Sequence, residues 1–172
     1  MTTGSSNTPS ISQWDKDFIE CIKGIALHPA VRSMENFIQH GRTNCYDHSL
    51  YVAYLSYIRC RRAGLDWRSA ARGGMLHDFF LYDRRINKPE KTFHGTLHPK
   101  VALKNAQKYF SINAMEKDII EKHMWPFSRV APLYRETMVV MGVDKYCAFM
   151  EGSRLGSLHE VRRLRKLLHL LH

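Results

Sequence analysis

Apolar residues at Ile11, Trp14, Phe18, Ile19 and Ile22 recur at a period near 3.6, the spacing that turns one side of an α-helix toward a core. This predicts a first helix from Ile11 to Lys23. A second is predicted from Pro29, whose fixed φ suits a first helical position, to about Gln39, where Gly41 breaks the pattern. Thr43 or Asn44 can cap a third over CYDHSLYVAYLSYIRCRRA, which Gly64 stops. Asp66 caps a fourth through DWRSAARGGMLHDFF. Its Gly73-Gly74 pair implies close approach of a neighbouring helix, at some expense in helix propensity.

The stretch LYDRRINKPEKTFHGT reads as loop, punctuated by Pro89 and Gly95. His98-Pro99 opens a helix over HPKVALKNAQKYF. Asn113 and Glu116 form a capping pair for NAMEKDIIEKHMW, which Pro126 ends. A further helix covers roughly Leu133 to Met150. The tail from Ser157 is Leu-rich on one face and Arg-rich on the other. No run alternates with period two for long enough to make a strand, so the expected fold class is all-α: a single-domain helical bundle.

Composition narrows the picture. At 172 residues, 44% hydrophobic and 24% charged, the chain can bury one core without crosslinks. It holds no apolar run long enough to span a bilayer. The start, MTTGSSNTPSIS, lacks the basic beginning and apolar centre of a secretory signal and reads as a disordered lead-in over residues 1–12. Cys21, Cys45, Cys60 and Cys147 form no CxxC pair and read as reduced, structural thiols, which together with the missing signal places the chain in the cytoplasm. Net charge is +10, which attracts polyanions in general. Arg59, Arg61, Arg62, Arg68 and Arg72 form one basic cluster, and Arg162, Arg163, Arg165 and Lys166 another. Both read as solvated helix faces.

Candidate chemistry lies in His48, the pair His77-Asp78, His98, His123 and Asp144, each on or beside a predicted helix. Imidazole and carboxylate together suit Fe, Mn, Zn or Co, and inward side chains of a bundle converge from helices distant in sequence. A single inward His is usually a hydrogen-bonded core residue, so the argument rests on the set. Asp144 sits mid-helix among Val139, Val140, Val143 and Cys147, where an unpaired carboxylate would be expensive and a cation would compensate it.

The order H…HD…H…H…D resembles that of the HD-domain superfamily. The runs QHGRTNCYDHSL, MLHDFFLYD, FHGTLHPK, HMWPF and GVDKYCA are similar to those of small bacterial HD-domain phosphohydrolases. The resemblance covers roughly Phe37 to Phe149. It implies a helical domain over 13–172, with a metal-binding core at about 37–149 and a basic C-terminal helix at about 157–172. It further implies that His48, His77, Asp78 and Asp144 hold one divalent ion, that Asp78 bridges, and that His98 and His123 hold a second. Iron comes first among the candidate metals, ahead of Mn, Zn or Co. Asp78 and His77 would form the catalytic core of a phosphohydrolase in which a metal-bridged hydroxide attacks a nucleotide or another small phosphorylated compound.

Two departures qualify the resemblance. The HDIG-Lys continuation common in such enzymes is replaced by Phe79-Phe80-Leu81, so its positive charge must come from elsewhere: Arg84, Arg85, Arg129 or Lys145. The GYP motif of cyclic-di-GMP phosphodiesterases is absent. His40, Arg42, His94 and Trp125 neighbour the candidate ligands and are further candidate substrate contacts, and Asp83 could orient a ligand. Two rival functions remain at this point. One is a mixed-valence di-iron oxygenase, which in similar proteins uses the same ligand types. The other is a non-enzymatic nucleotide- or nucleic-acid-binding module, suggested by the basic helix HEVRRLRKLLHLLH, which could equally form a homodimer interface.

Overall fold

Four helices begin where a side-chain oxygen meets an otherwise unsatisfied backbone N–H. Ser12 accepts from the Asp15 amide, Asn44 from Asp47, and Asp66 from Arg68 and Ser69. Asn113 accepts from Glu116, whose carboxylate accepts in return from the Asn113 amide, a complete capping box. The computed structural model describes residues 11–82, 94–153 and 158–171. Within them lie α1 (Gln13–Ala26), α2 (Pro29–Arg32), β1 (Ile38–His40), β2 (Thr43–Asn44), α3 (Cys45–Arg62), α4 (Trp67–Leu76), α5 (His94–Tyr109), α6 (Ala114–Lys122), α7 (Arg135–Gly152) and α8 (Leu158–Leu170). The fold is all-α.

Three local expectations are corrected. The second predicted helix stops at Arg32, gives way to a 3-10 turn over Ser33–Asn36, and is followed by β1, which pairs antiparallel with β2. Strands this short cannot display a period of two. Gly41 turns between them at φ 54, where a Cβ would sit 3.1 Å from the Glu151 carbonyl oxygen. α4 ends at Leu76 rather than continuing through Phe80, and its chain closes instead through a Phe80 N–H to Asp78 carbonyl bond. α5 begins at His94 and carries Pro99 within it, because a proline's φ is itself helical and the helix forgoes one hydrogen bond. The lead-in over residues 1–10 and most of the predicted loop, 83–93, lie outside the described residues.

α3 packs most extensively on α4, and also on α7, while α4 packs on α6 and α1, and α5 on α6. Phe18, Ile22, Tyr46, Leu50, Tyr57, Met75, Phe79 and Phe80 fill the middle with no exposed surface. The α3–α4 approach depends on glycine, since a Cβ on Gly74 would stand 3.0 Å from the Ala53 Cα. Cys45, Cys60 and Cys147 are buried free thiols and Cys21 is half-buried.

α8 inserts Val161, Leu164, Leu167 and Leu168 into the body of the protein. Arg162 and Lys166 are exposed, as a solvated face requires, whereas Arg163 and Arg165 are clamps. Arg163 donates to both Asp15 oxygens at 3.0 Å and to Tyr54 Oη, and Arg165 reaches Asp47 at 2.6 Å and Glu35 at 2.7 Å. The other cluster is divided in the same way: Arg61 pairs with Asp17 and lies over Trp14, Arg72 pairs with Glu116, and Arg68 lies over Trp67, while Arg59 and Arg62 are exposed.

Burial alone would raise the Asp15 carboxyl, but Arg163, Ser12 and Tyr54 together hold it below the usual range. A carboxylate depressed in the folded state adds stability above its unfolded value, ~3.9, and that stability is lost as pH falls through the folded value. Arg163→Gln is therefore expected to cost on the order of 1–2 kcal/mol at neutral pH, allowing for the partial exposure of the guanidinium. The cost should shrink below about pH 4. Urea unfolding of both proteins across this range checks it, and a difference that does not change with pH would count against the clamp.

Candidate metal centre

The cap at Asn44 fixes where α3 starts and so brings His48, at the end of the first turn, to the buried side facing α4 and α7. His77 is the C-cap of α4 and Asp78 follows it. His123 is the C-cap of α6, His98 lies in the second turn of α5, and Asp144 lies mid-way along α7. All six are buried. The carboxylate of Asp78 is the shared element. Its Oδ2 lies 3.5 Å from His77 Nε2 and 3.9 Å from His48 Nε2, on the side where Asp144 Oδ1 approaches the same two nitrogens at 3.5 and 3.0 Å. Its Oδ1 lies 3.2 Å from His98 Nε2 and 3.7 Å from His123 Nε2, which are 2.9 Å from each other. His48, His77 and Asp78 thus form one group able to hold an ion, and Asp78, His98 and His123 another.

The imidazoles are oriented from behind. His77 Nδ1 bonds the Gly74 carbonyl at 2.7 Å, His123 Nδ1 bonds the Ile120 carbonyl at 2.9 Å, and His48 Nδ1 bonds the Glu151 carboxylate at 3.0 Å. A carbonyl can only accept, so those Nδ1 atoms carry the proton and each Nε2 faces the centre. Gln39 Nε2 donates to Asp78 Oδ2, and Cys45 Sγ in turn donates to Gln39 Oε1.

Charge in the centre is strongly coupled. Burial would suppress protonation of His48, yet hydrogen bonds to Asp144 and Glu151 raise it to about 10. His77 is raised against its burial by the charges of Asp78 and Asp144. Burial would raise Asp78 and Asp144, but the surrounding imidazoles hold both far below the usual carboxylate range. His123 falls to about 3, pushed down by burial and then by His77 and His98. Carboxylates clustered this deeply draw positive charge inward, as protons or as a cation.

The residues fit divalent transition ions. His77 Nε2 and Asp78 Oδ1 are buried polar atoms with no hydrogen-bond partner, and both point into the groups described. Two imidazole nitrogens held by one ion at ~2 Å each stand roughly 3 Å apart, the spacing His98 and His123 show. The donors are nitrogen and oxygen throughout.

The expected substrate contacts are placed less centrally. Arg42 is exposed at the β1–β2 turn, Arg129 is exposed with φ 59 in the turns after α6, and Trp125 is 36% exposed. Lys145 is exposed beside Asp144, and its ammonium donates to the His123 carbonyl at 3.4 Å; burial lowers its pKa against the pull of Asp144. The side chains of His40 and His94, and all of Asp83, Arg84 and Arg85, lie outside the described residues. Sequence reasoning missed Gln39 and Glu151. Glu151 carried a usable signal, lying two helical turns beyond Asp144 on the same face of α7; Gln39 carried none.

Fold and site together define an all-helical bundle built around paired imidazole–carboxylate groups of metal-binding type. The chain is similar to Ribonuclease Y of Protochlamydia amoebophila, 27% identical over 162 residues, covering 91% of this chain and 29% of that protein. It is similar also to Ribonuclease Y of Thermotoga maritima, 26% identical over 147 residues (83% of this chain, 27% of that protein). With that of Aquifex aeolicus it shares 31% identity over 121 residues (70% and 20%). The chain therefore spans less than a third of the length of these relatives. No family model matches it, and no solved structure matches it.

Proposed function

We propose that this protein is a metal-dependent phosphohydrolase whose substrate is a nucleic-acid phosphodiester, RNA before DNA. The observation that carries the reading is the position of Asp78, with one oxygen turned to His48, His77 and Asp144 and the other to His98 and His123. His48, His77, Asp78 and Asp144 would hold one ion, and Asp78, His98 and His123 the other. Bound there, the ions would supply Lewis acidity and an activated water-derived nucleophile.

The chain's own groups do the positioning. Gly74, Ile120 and Glu151 keep Nδ1 of three imidazoles engaged so that each Nε2 is presented in one orientation. Gln39 fixes the plane of Asp78, and the burial of all six residues excludes bulk water from the donors. Lys145 brings a positive charge to the rim beside Asp144 and His123, toward the charge that develops on phosphoryl oxygens. The substrate class rests on the relatives, which are named as ribonucleases. They support a polynucleotide over the small phosphorylated compound first expected. Among the described residues no helix is long and apolar enough to cross a membrane.

The test is elemental analysis of anaerobically purified protein beside assays on an aryl phosphodiester and a labelled oligoribonucleotide. Two transition ions per chain with cleavage of both substrates is the expected result. A chain without metal, or a loaded chain that consumes dioxygen and cleaves no phosphoester, would overturn the proposal. Glu151→Gln keeps a side chain of the same shape but loses the charge behind His48. It is expected to weaken metal affinity roughly 10–100-fold, read by competition with a chelating dye. Unchanged affinity would remove Glu151 from the positioning set.

A further inference from the structure

Beside the centre lies a cavity of about 490 Å³ lined by Lys100, Glu121, Lys122, Phe127, Arg129 and Val130, a size that suits an organic ligand rather than a lone ion. None of the six residues of the centre lines it. It adjoins them along the chain, with Lys122 next to His123 and Lys100 two residues beyond His98.

Three features of its wall converge. The first is unmatched positive charge. Arg61, Arg72, Arg163 and Arg165 are all tied to carboxylates, whereas Lys100 and Arg129 have no such partner among the described residues. Lys122 is matched by Asp118 at 2.6 Å and Glu121 offsets one further charge, so the lining remains net positive. The second is an exposed aromatic: Phe127 is 52% and Val130 58% solvent-exposed. The third is strain. Arg129 takes φ 59 in a turn closed by its N–H to the Pro126 carbonyl at 3.0 Å, with Phe127 bonded to Met124 at 2.8 Å. A glycine would sit there without penalty, whereas a residue with a Cβ is strained. The turn holds a guanidinium and a phenyl ring two residues apart over one cavity.

We propose that this cavity anchors a single-stranded nucleic acid, with a base stacked on Phe127 and a backbone phosphate held by Arg129 and Lys100. The inference rests on the phosphodiesterase reading and extends it. The cavity and the centre share no residue, so a strand can engage the cavity with one nucleotide and the centre with another, which a mononucleotide does not do. Aromatic stacking with adjacent cations is the chemistry by which strands are held without base-specific contacts.

Fluorescence anisotropy tests this with the full chain in chelator, so that no cleavage intervenes. The probes are a labelled oligouridylate of about eight nucleotides and a labelled mononucleotide. The strand is expected to bind well above the mononucleotide. Phe127→Ala should weaken strand binding roughly tenfold. Arg129→Gly removes the charge while relaxing the backbone, so a loss there does not come from added backbone strain. Paired with Lys100→Gln, it removes the one phosphate contact and should flatten the dependence of log K on log salt by about 0.7.

Equal affinity for strand and mononucleotide would overturn the proposal, as would variants that bind the strand like the wild type. Metal-dependent cleavage of the aryl phosphodiester without strand binding would remove the anchoring site and leave the hydrolase. Strand binding lost in the variants, in a protein that holds no metal, would do the reverse.

Discussion

Asp78→Asn is expected to leave the protein unable to hold either ion and to reduce phosphodiester cleavage by roughly 10³-fold or more. Asn still accepts from Gln39, so the fold keeps that contact, but neither group retains its shared anion. Asp144→Asn and His98→Ala each touch one group, and each should leave a single ion per chain. Elemental analysis of the three variants separates these outcomes, and an Asp78→Asn protein carrying two ions would contradict the shared-carboxylate arrangement. The same chemistry sets a pH dependence. Without metal, His48 contributes stability below its unfolded value, ~6.5, and that contribution disappears as pH rises through about 10. Metal binding must displace this proton. Affinity should therefore climb with pH across the neutral range, by up to about tenfold per unit while one proton is displaced.

Gly74→Val is expected to destabilise the protein by about 3 kcal/mol and to lower metal occupancy with it. A Cβ at Gly74 meets Ala53 backbone, Cα at 3.0 Å and N at 3.3 Å, which cannot yield without moving α3 off α4. The same peptide carries the carbonyl that orients His77, and α3 carries His48, so the displacement reaches both. Gly24→Ala is the contrast. Nothing lies within 4 Å of a Cβ there, and α1 gains about 1 kcal/mol of helix propensity. Urea unfolding of both variants would show the difference, and equal effects would place the close approach elsewhere.

What the sequence made legible was what is encoded locally. Asn44, Asp66 and the Asn113–Glu116 pair announced three helix starts because capping needs only residues within one turn. Gly73-Gly74 announced close packing because nothing else justifies two glycines in a helix. The six residues that the structure brings together stood out as a set, since each lies on or just beyond a predicted helix. Long-range and marginal features were not visible. The Gln39 bond to Asp78 joins residues 39 apart, and the Glu151 bond to His48 residues 103 apart. The β1–β2 hairpin is too short for alternation to register. Arg61, Arg72, Arg163 and Arg165 looked like parts of solvated faces because Asp17, Glu116, Asp15 and Asp47, which engage them, lie on other helices.

The clamp between α8 and α1 also bears on the order in which the protein assembles. Arg163 and Asp15 are separated by 148 residues, whereas Arg61 and Asp17 are separated by 44. Closing the longer loop costs only about 1 kcal/mol more in chain entropy, because that term grows with the logarithm of length. Contacts so distant in sequence nevertheless form late, after local helices have paired. Helices α3, α4, α6 and α7, which carry His48, His77, His123 and Asp144, can therefore come together before α8 docks, and α8 is the element expected to detach first when the native state opens.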